Sequence, residues 1–266
     1  MRKITLISLI IFASFVLNGQ MPVSSKKFIE KNLSENDKEK IELSVFDKMN
    51  FSKIWLENQN AVIGYIGEDY QRIYVYFISI IKDFRKENEY YIYGKSKVKS
   101  NVCDFQGKFR IIDAYKINDS EQDLLYEEAL KQGDQEVADR FGKIKGFVLT
   151  EYLLFENPEQ NGSGFFTGVI KSSFYIEKET LFFDDLDLGY SDNYSNNQFV
   201  GIWESYMSSI QKKCNWGTYR VPYAGDLDIG VAEFSPNPKY MKNGWDTYHQ
   251  PYHQSETLKE KHGWWK

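Results

Sequence analysis

Apolar positions along this chain recur mostly at every second residue, in segments of strand length. From Gln71 to Lys82 the sequence QRIYVYFISIIK is β-branched or aromatic at almost every position. Ile73, Val75 and Phe77 fall on one face, and Tyr74, Tyr76, Ile78 and Ile80 on the other. A strand covered on both sides is predicted. Comparable segments follow at Glu89–Gly94, Lys108–Ile117, Lys145–Phe155, Phe165–Ile176, Thr180–Leu188, Gln198–Tyr206 and Cys214–Val221. Short turn-forming stretches separate them, as in an antiparallel meander. Gly107 is expected to mark a turn between Cys103 and the Lys108 strand, and Gly168 a bend where the sheet curls. The acidic segment Gly225–Phe234 also alternates, and reads as a further half-buried strand.

Two stretches break this period. Residues 119–142 are acidic and carry Leu125–Ala129 and Val137–Phe141 at helical spacing. They predict a helical insertion that starts at an Asp119 or Ser120 cap, breaks at Gly133 and ends at Gly142. Residues 20–56 form a polar, Lys/Glu-rich lead, expected to be partly disordered or a short helix, with Ser34 and Asp37 as a capping-type start. The domain proper is expected over 57–246, followed by a polar, mobile tail at 247–266. The predicted fold is all-β: an antiparallel meander of about eight to ten strands, closed or nearly closed into a lipocalin-like barrel, with a sandwich as the alternative. Closure would remove exposed edges from a chain this rich in β-prone apolar residues.

Residues 1–19 open on Arg2 and Lys3 and continue into an apolar run from Ile4 to Leu17. That run is shorter than the roughly 20 residues of a membrane span, so a cleaved signal peptide is expected, with cleavage near Gly19 or Gln20. The mature protein is then exported, to the periplasm or beyond, with no membrane span. The formal net charge of −5 and the scattered basic residues exclude the footprint of a nucleic-acid binder. In an oxidising compartment the two cysteines, Cys103 and Cys214, are expected to form a disulfide. The 19 Tyr and 19 Phe supply core and cross-strand packing, or an aromatic ligand surface.

Gly64–Arg72 (GYIGEDYQR), Tyr93–Ser96, Asn101–Gly107, Cys214–Gly217 and Gly225–Gly230 resemble motifs of a family of uncharacterised exported bacterial proteins, over about residues 61–245. That resemblance implies an address and a shape, with no reaction attached. Gly201-Ile-Trp203 resembles the Gly-x-Trp of lipocalins, although that family carries the motif on its first barrel strand and this chain carries it late. Only the barrel shape follows from that likeness.

Candidate chemistry is sparse. Asp226 and Asp228 in GDLDIG would share one face of a strand, where they could hold a hard cation or act as an acid/base pair. The alternative is that both face solvent while Leu227, Ile229 and Val231 face the core. Asp184, Asp185 and Asp187 read as solvated carboxylates at a strand end. His249, His253 and His262 are the three histidines, all in the tail, and Pro251 argues against the helix that a His-x3-His metal site would need. No nucleophile elbow, phosphate loop or dinucleotide fingerprint occurs, and no cofactor is expected. The sequence therefore reads as a non-enzymatic exported module binding a small apolar or amphipathic ligand, with Phe166, Ile170, Phe174 and Trp203 (or Tyr206, on the opposite face) as wall residues. The alternatives are a glycan-directed hydrolase using strand carboxylates, and a structural or adhesion protein.

Overall fold

A computed structural model of the chain describes residues 21–34, 37–118, 120–135, 138–139, 142–188, 192–248 and 263–265. The expected signal peptide, the Asp119 cap, Val137, Phe141 and the three histidines lie outside the described residues.

The fold is mostly antiparallel sheet. The described residues form ten strands: β1 (Lys38–Ile41), β2 (Val62–Ile66), β3 (Gln71–Lys82), β4 (Glu89–Val98), β5 (Asn101–Ile117), β6 (Ile144–Glu156), β7 (Gly164–Glu177), β8 (Thr180–Phe183), β9 (Asn196–Ser205) and β10 (Gln211–Thr218). Their pairings run in the order β5-β4-β3-β2-β10-β9-β7-β6, and β6 pairs back to β5, so eight strands form a ring. β1 joins β5 and β8 joins β7 at the margins. Among the described residues no helix is long and apolar enough to cross a membrane.

Inward positions alternate along the strands and bury a large aromatic core. The alternation of Phe166, Gly168, Ile170, Ser172 and Phe174 holds throughout β7. In β3 it switches: a bulge between Phe77 and Ser79 turns Ile80 inward and leaves Ile78 exposed. The Gln59 side chain fills that bulge, accepting from the Phe77 amide at 2.7 Å and donating to its carbonyl at 3.1 Å. An extra residue in one strand reverses the facing of all that follows it, which strict alternation misses.

Gly107 is not at a turn. Cys103 and Lys108 belong to one long strand, and Gly107 lies mid-ladder between Ile92 and Leu154, where a Cβ would run into the Leu153 carbonyl. Gly168 and Gly201 face each other across β7 and β9 and leave the space that the Tyr152 hydroxyl occupies. Their missing side chains are replaced by a neighbouring aromatic, which pins the register where the sheet curves.

The lead segment is built into the fold. Helix α1 (Val23–Ser34) lays Phe28 over Val169 and Val200 on the outer face of β7 and β9, and Ser25 Oγ donates to the Val200 carbonyl at 2.8 Å. Ser34 ends this helix rather than capping a new one, its hydroxyl donating to the Lys31 carbonyl. A short helix α2 (Ser52–Leu56) carries Trp55 into the ring. These burials draw apolar residues from a stretch whose mean composition is polar, and a few large side chains suffice for them.

The helical insertion is α3 (Ser120–Gln132), between β5 and β6. Gly133 terminates it in the left-handed region (φ +71°), and a further turn bonds Ala138 to Asp134 and Gly142 to Ala138. Beyond β10, residues 219–248 cover the outer face of β2. Leu227, Phe234 and Trp245 pack there on Ile63 and Tyr65. Trp265 stacks on Tyr76 at 4.1 Å and Trp264 lies 6.1 Å from Tyr74, covering the outer aromatics of β3.

Candidate functional site

The two ends of the ring are finished differently. At one end α2 plugs the interior. Trp55 meets Tyr90 at 4.8 Å and Phe109 at 5.1 Å edge to face, and its indole nitrogen donates to Ser172 Oγ at 2.9 Å. Phe46 and Phe51 both pack edge to face on Phe174. The Lys82 ammonium closes over this plug, donating to the Asp47 and Met49 carbonyls at 2.6 and 2.9 Å.

At the other end lies a cavity of about 400 Å³. Its apolar wall is Ile66, Ile73, Val98, Phe166 and Trp203; Glu156 and Ser96 form its polar floor. Asp69, Gln71, Lys99, Asn101, Asn161 and Lys212 also border it, and both lysines are exposed. Glu156 is the last residue of β6, and continues the inward series Tyr152, Leu154 by one more step. It is 4% exposed. One carboxylate oxygen, Oε2, accepts from Trp203 Nε1 and from the Gly164 amide, each at 2.9 Å. The other, Oε1, accepts from Ser96 Oγ. The Tyr206 hydroxyl donates to the Glu156 main-chain carbonyl at 3.1 Å. Burial pushes the Glu156 carboxyl above the ordinary range, and the three donors hold it partly back. The three donors to its carboxylate are all neutral, and among the described residues no ion pair involves it.

Of the four predicted wall residues, Phe166 and Trp203 line this cavity. Ile170 and Phe174 do not; both are fully buried in the core, Phe174 against the Phe46 and Phe51 rings of the plug. Trp203 and Tyr206, expected on opposite faces, converge on Glu156, because β9 ends at Ser205 and Tyr206 follows a different path.

The cysteines stand as free, buried thiols, and the expected disulfide is absent. β5 and β10 are four places apart in either direction round the ring. A bridge needs Cα atoms within about 7 Å, and neighbouring strands are already about 4.8 Å apart. Cys103 and Cys214 therefore sit on opposite walls. Burial raises the Cys103 thiol to about 11 and Cys214 well above its usual value, and the Glu156 charge adds to both.

Asp226 and Asp228 do not share a strand face. Residues Gly225–Leu227 form a single 3-10 turn, and Asp228 makes only an isolated bridge with Pro236. Asp226 is exposed and pairs with Lys239 and Tyr240. Asp228 is turned inward on Arg220 at 2.6 Å and accepts from the Gly230 and Ser235 amides. Leu227 is fully buried, whereas Ile229 and Val231 are 54% and 82% exposed. Among the described residues no group of His, Cys, Asp or Glu is arranged to hold a metal. Asp184, expected to be solvated, is buried beneath Tyr194 and Asn196, and burial raises its carboxyl.

Glu156 and Ser96 escaped the sequence reading because the predicted strands stopped one and two residues short, at Phe155 and Gly94. The signal was the inward alternation itself: Leu154 leads to Glu156, and Ile92 and Gly94 lead to Ser96. A search of family models, of curated proteins and of solved structures finds no match to this chain.

Proposed function

We propose that this chain is an exported, non-enzymatic binding protein, its ring a lipocalin-like barrel that holds a small amphipathic ligand at the Glu156 end. The observation that carries this reading is the asymmetry of the interior. At one end Trp55 and its aromatic neighbours fill the interior and leave a cavity of about 270 Å³ beside Phe46 and Tyr90, bordered also by the polar residues Asp47, Glu87 and Asn88. The other end leaves about 400 Å³ against an apolar wall with a few polar groups at its base. Sites for small ligands have this size and make-up. Bond-breaking is not what the arrangement favours: Glu156 is engaged by three donors, and the hydroxyl among them, Ser96, is itself buried and held on the carboxylate.

Native mass spectrometry of the protein recovered from an exporting host tests the proposal. The expected result is a mature chain beginning near residue 20, with a bound mass that disappears on denaturation. A chain retaining residues 1–19 would overturn the export reading. A protein whose native and denatured masses agree, and which takes up none of a panel of amphiphiles, would overturn the carrier reading.

A further inference from the structure

Of the cavities bordered by charge, the one at the ring mouth differs from its neighbour in a specific way. A second cavity, of about 350 Å³, lies between the outer residues of β4 to β7, and its charges are matched within the protein: Lys108 with Glu89 at 2.8 Å, and Arg110 with Glu151. At the mouth the deep charge is Glu156, and what holds it is three neutral donors. A buried carboxylate without a counter-charge is costly, and neutral hydrogen bonds recover only part of that cost. A carboxylate has about four lone-pair positions. Two are taken on Oε2 and one on Oε1, so Oε1 retains room for one further donor. The Trp203 side chain lines the same cavity, and an indole face is the best aromatic partner for a cation.

We propose that the ligand is an organic amine, bound as its ammonium, with N–H donated to Glu156 Oε1 and its apolar body against Phe166, Ile66 and Ile73. This rests on the carrier reading above and narrows it to one chemical class. Lys99 and Lys212 stand at the exposed rim with Asp69, where solvent screens them, whereas the buried carboxylate acts at close range. The rim leaves anionic amphiphiles nothing deeper to bind than two surface lysines.

The test uses three probes of equal chain length, octylammonium, octanol and octanoate, titrated calorimetrically into the full mature protein at pH 8. Octylammonium is expected to bind about tenfold to a hundredfold more tightly than the other two, the range for one charge-assisted contact. In Glu156→Gln that preference is expected to vanish, amine and alcohol binding alike. On the wild-type protein, lowering the pH from 8 to 5 should weaken octylammonium and leave octanol unchanged. The groups that act on Glu156 or share its cavity are Ser96, Cys103, Trp203, Tyr206 and Cys214, with Asp69, Lys99 and Lys212 at the exposed rim, and burial keeps both thiols and the Tyr206 phenol neutral across that window. This second measurement needs no variant, so a misfolded Glu156→Gln would not protect the proposal. Octanol or octanoate binding as tightly as the amine overturns the amine assignment while leaving a carrier; binding of none of the three overturns both. A preference that survives Glu156→Gln, or that is indifferent to pH, also overturns it.

Discussion

At the α2 end of the ring, Trp55, Phe46 and Phe51 fill the interior and pack on one another and on Tyr90, Phe109 and Phe174. At the Glu156 end, the same eight strands enclose an apolar wall broken by a carboxylate, a serine hydroxyl and an indole N–H. β7 contributes to both ends from one face, Phe174 at the plug and Phe166 at the cavity. The contrast shows that inward alternation along a strand specifies burial but not what the burial is for. Phe174 is enclosed by aromatic rings, whereas Phe166 packs on Phe105 and Trp216 and borders a cavity.

The largest expected effect is at the plug. Trp55→Ala removes an indole that is almost fully buried and leaves the Ser172 hydroxyl without its donor, at a cost of about 3–5 kcal/mol. Against a typical total of about 5–15 kcal/mol this is a large fraction, and urea unfolding should show the midpoint falling sharply, with part of the loss restored by Trp55→Phe. An unchanged midpoint would mean that α2 merely rests against the ring. The next effect compares two residues on one strand. Phe174→Ala is expected to cost about 3–5 kcal/mol, and Phe166→Ala about 1–2 kcal/mol less, because neighbours of Phe166 already border open volume. Equal losses, measured side by side, would contradict an aromatic plug facing a more open mouth.

Much of the strand architecture was legible in the sequence because period-two burial is a local signal, and β3, β6, β7 and β9 lie close to where alternation placed them. What alternation could not supply is non-local. The β3 bulge depends on Gln59, and Tyr152 fits because Gly168 and Gly201 lie opposite each other on different strands. Trp55 and Phe28 were hidden in a lead whose polar average outweighed its few large residues. The alternation of GDLDIG was real, yet it describes a 3-10 turn pinned by Arg220 and Lys239, partners that local pattern does not name. The site followed the same rule: Phe166 and Trp203 were found as large inward residues, and Glu156 was lost at a strand end.

The smallest expected effect is at the mouth, and its sign distinguishes that end from a structural core. Burial raises the Glu156 carboxyl above its ordinary value of 4.5 in the folded protein. As pH rises through the ordinary value the unfolded chain loses this proton first, while the folded protein still holds it. Between the two values the folded state binds more protons, so this group's contribution to stability declines as pH rises, and remains lower above the raised value. Glu156→Gln removes that dependence. Thermal unfolding of both proteins from pH 4 to pH 8 should therefore show the difference between them moving in favour of the glutamine variant as pH rises. A difference that is flat, or that moves in favour of the wild type, would mean that the three donors outweigh burial. Glu156 would then be a structural clasp holding Ser96, Gly164 and Trp203 together, and the mouth would resemble the plug in purpose, closing the fold rather than opening it to a ligand.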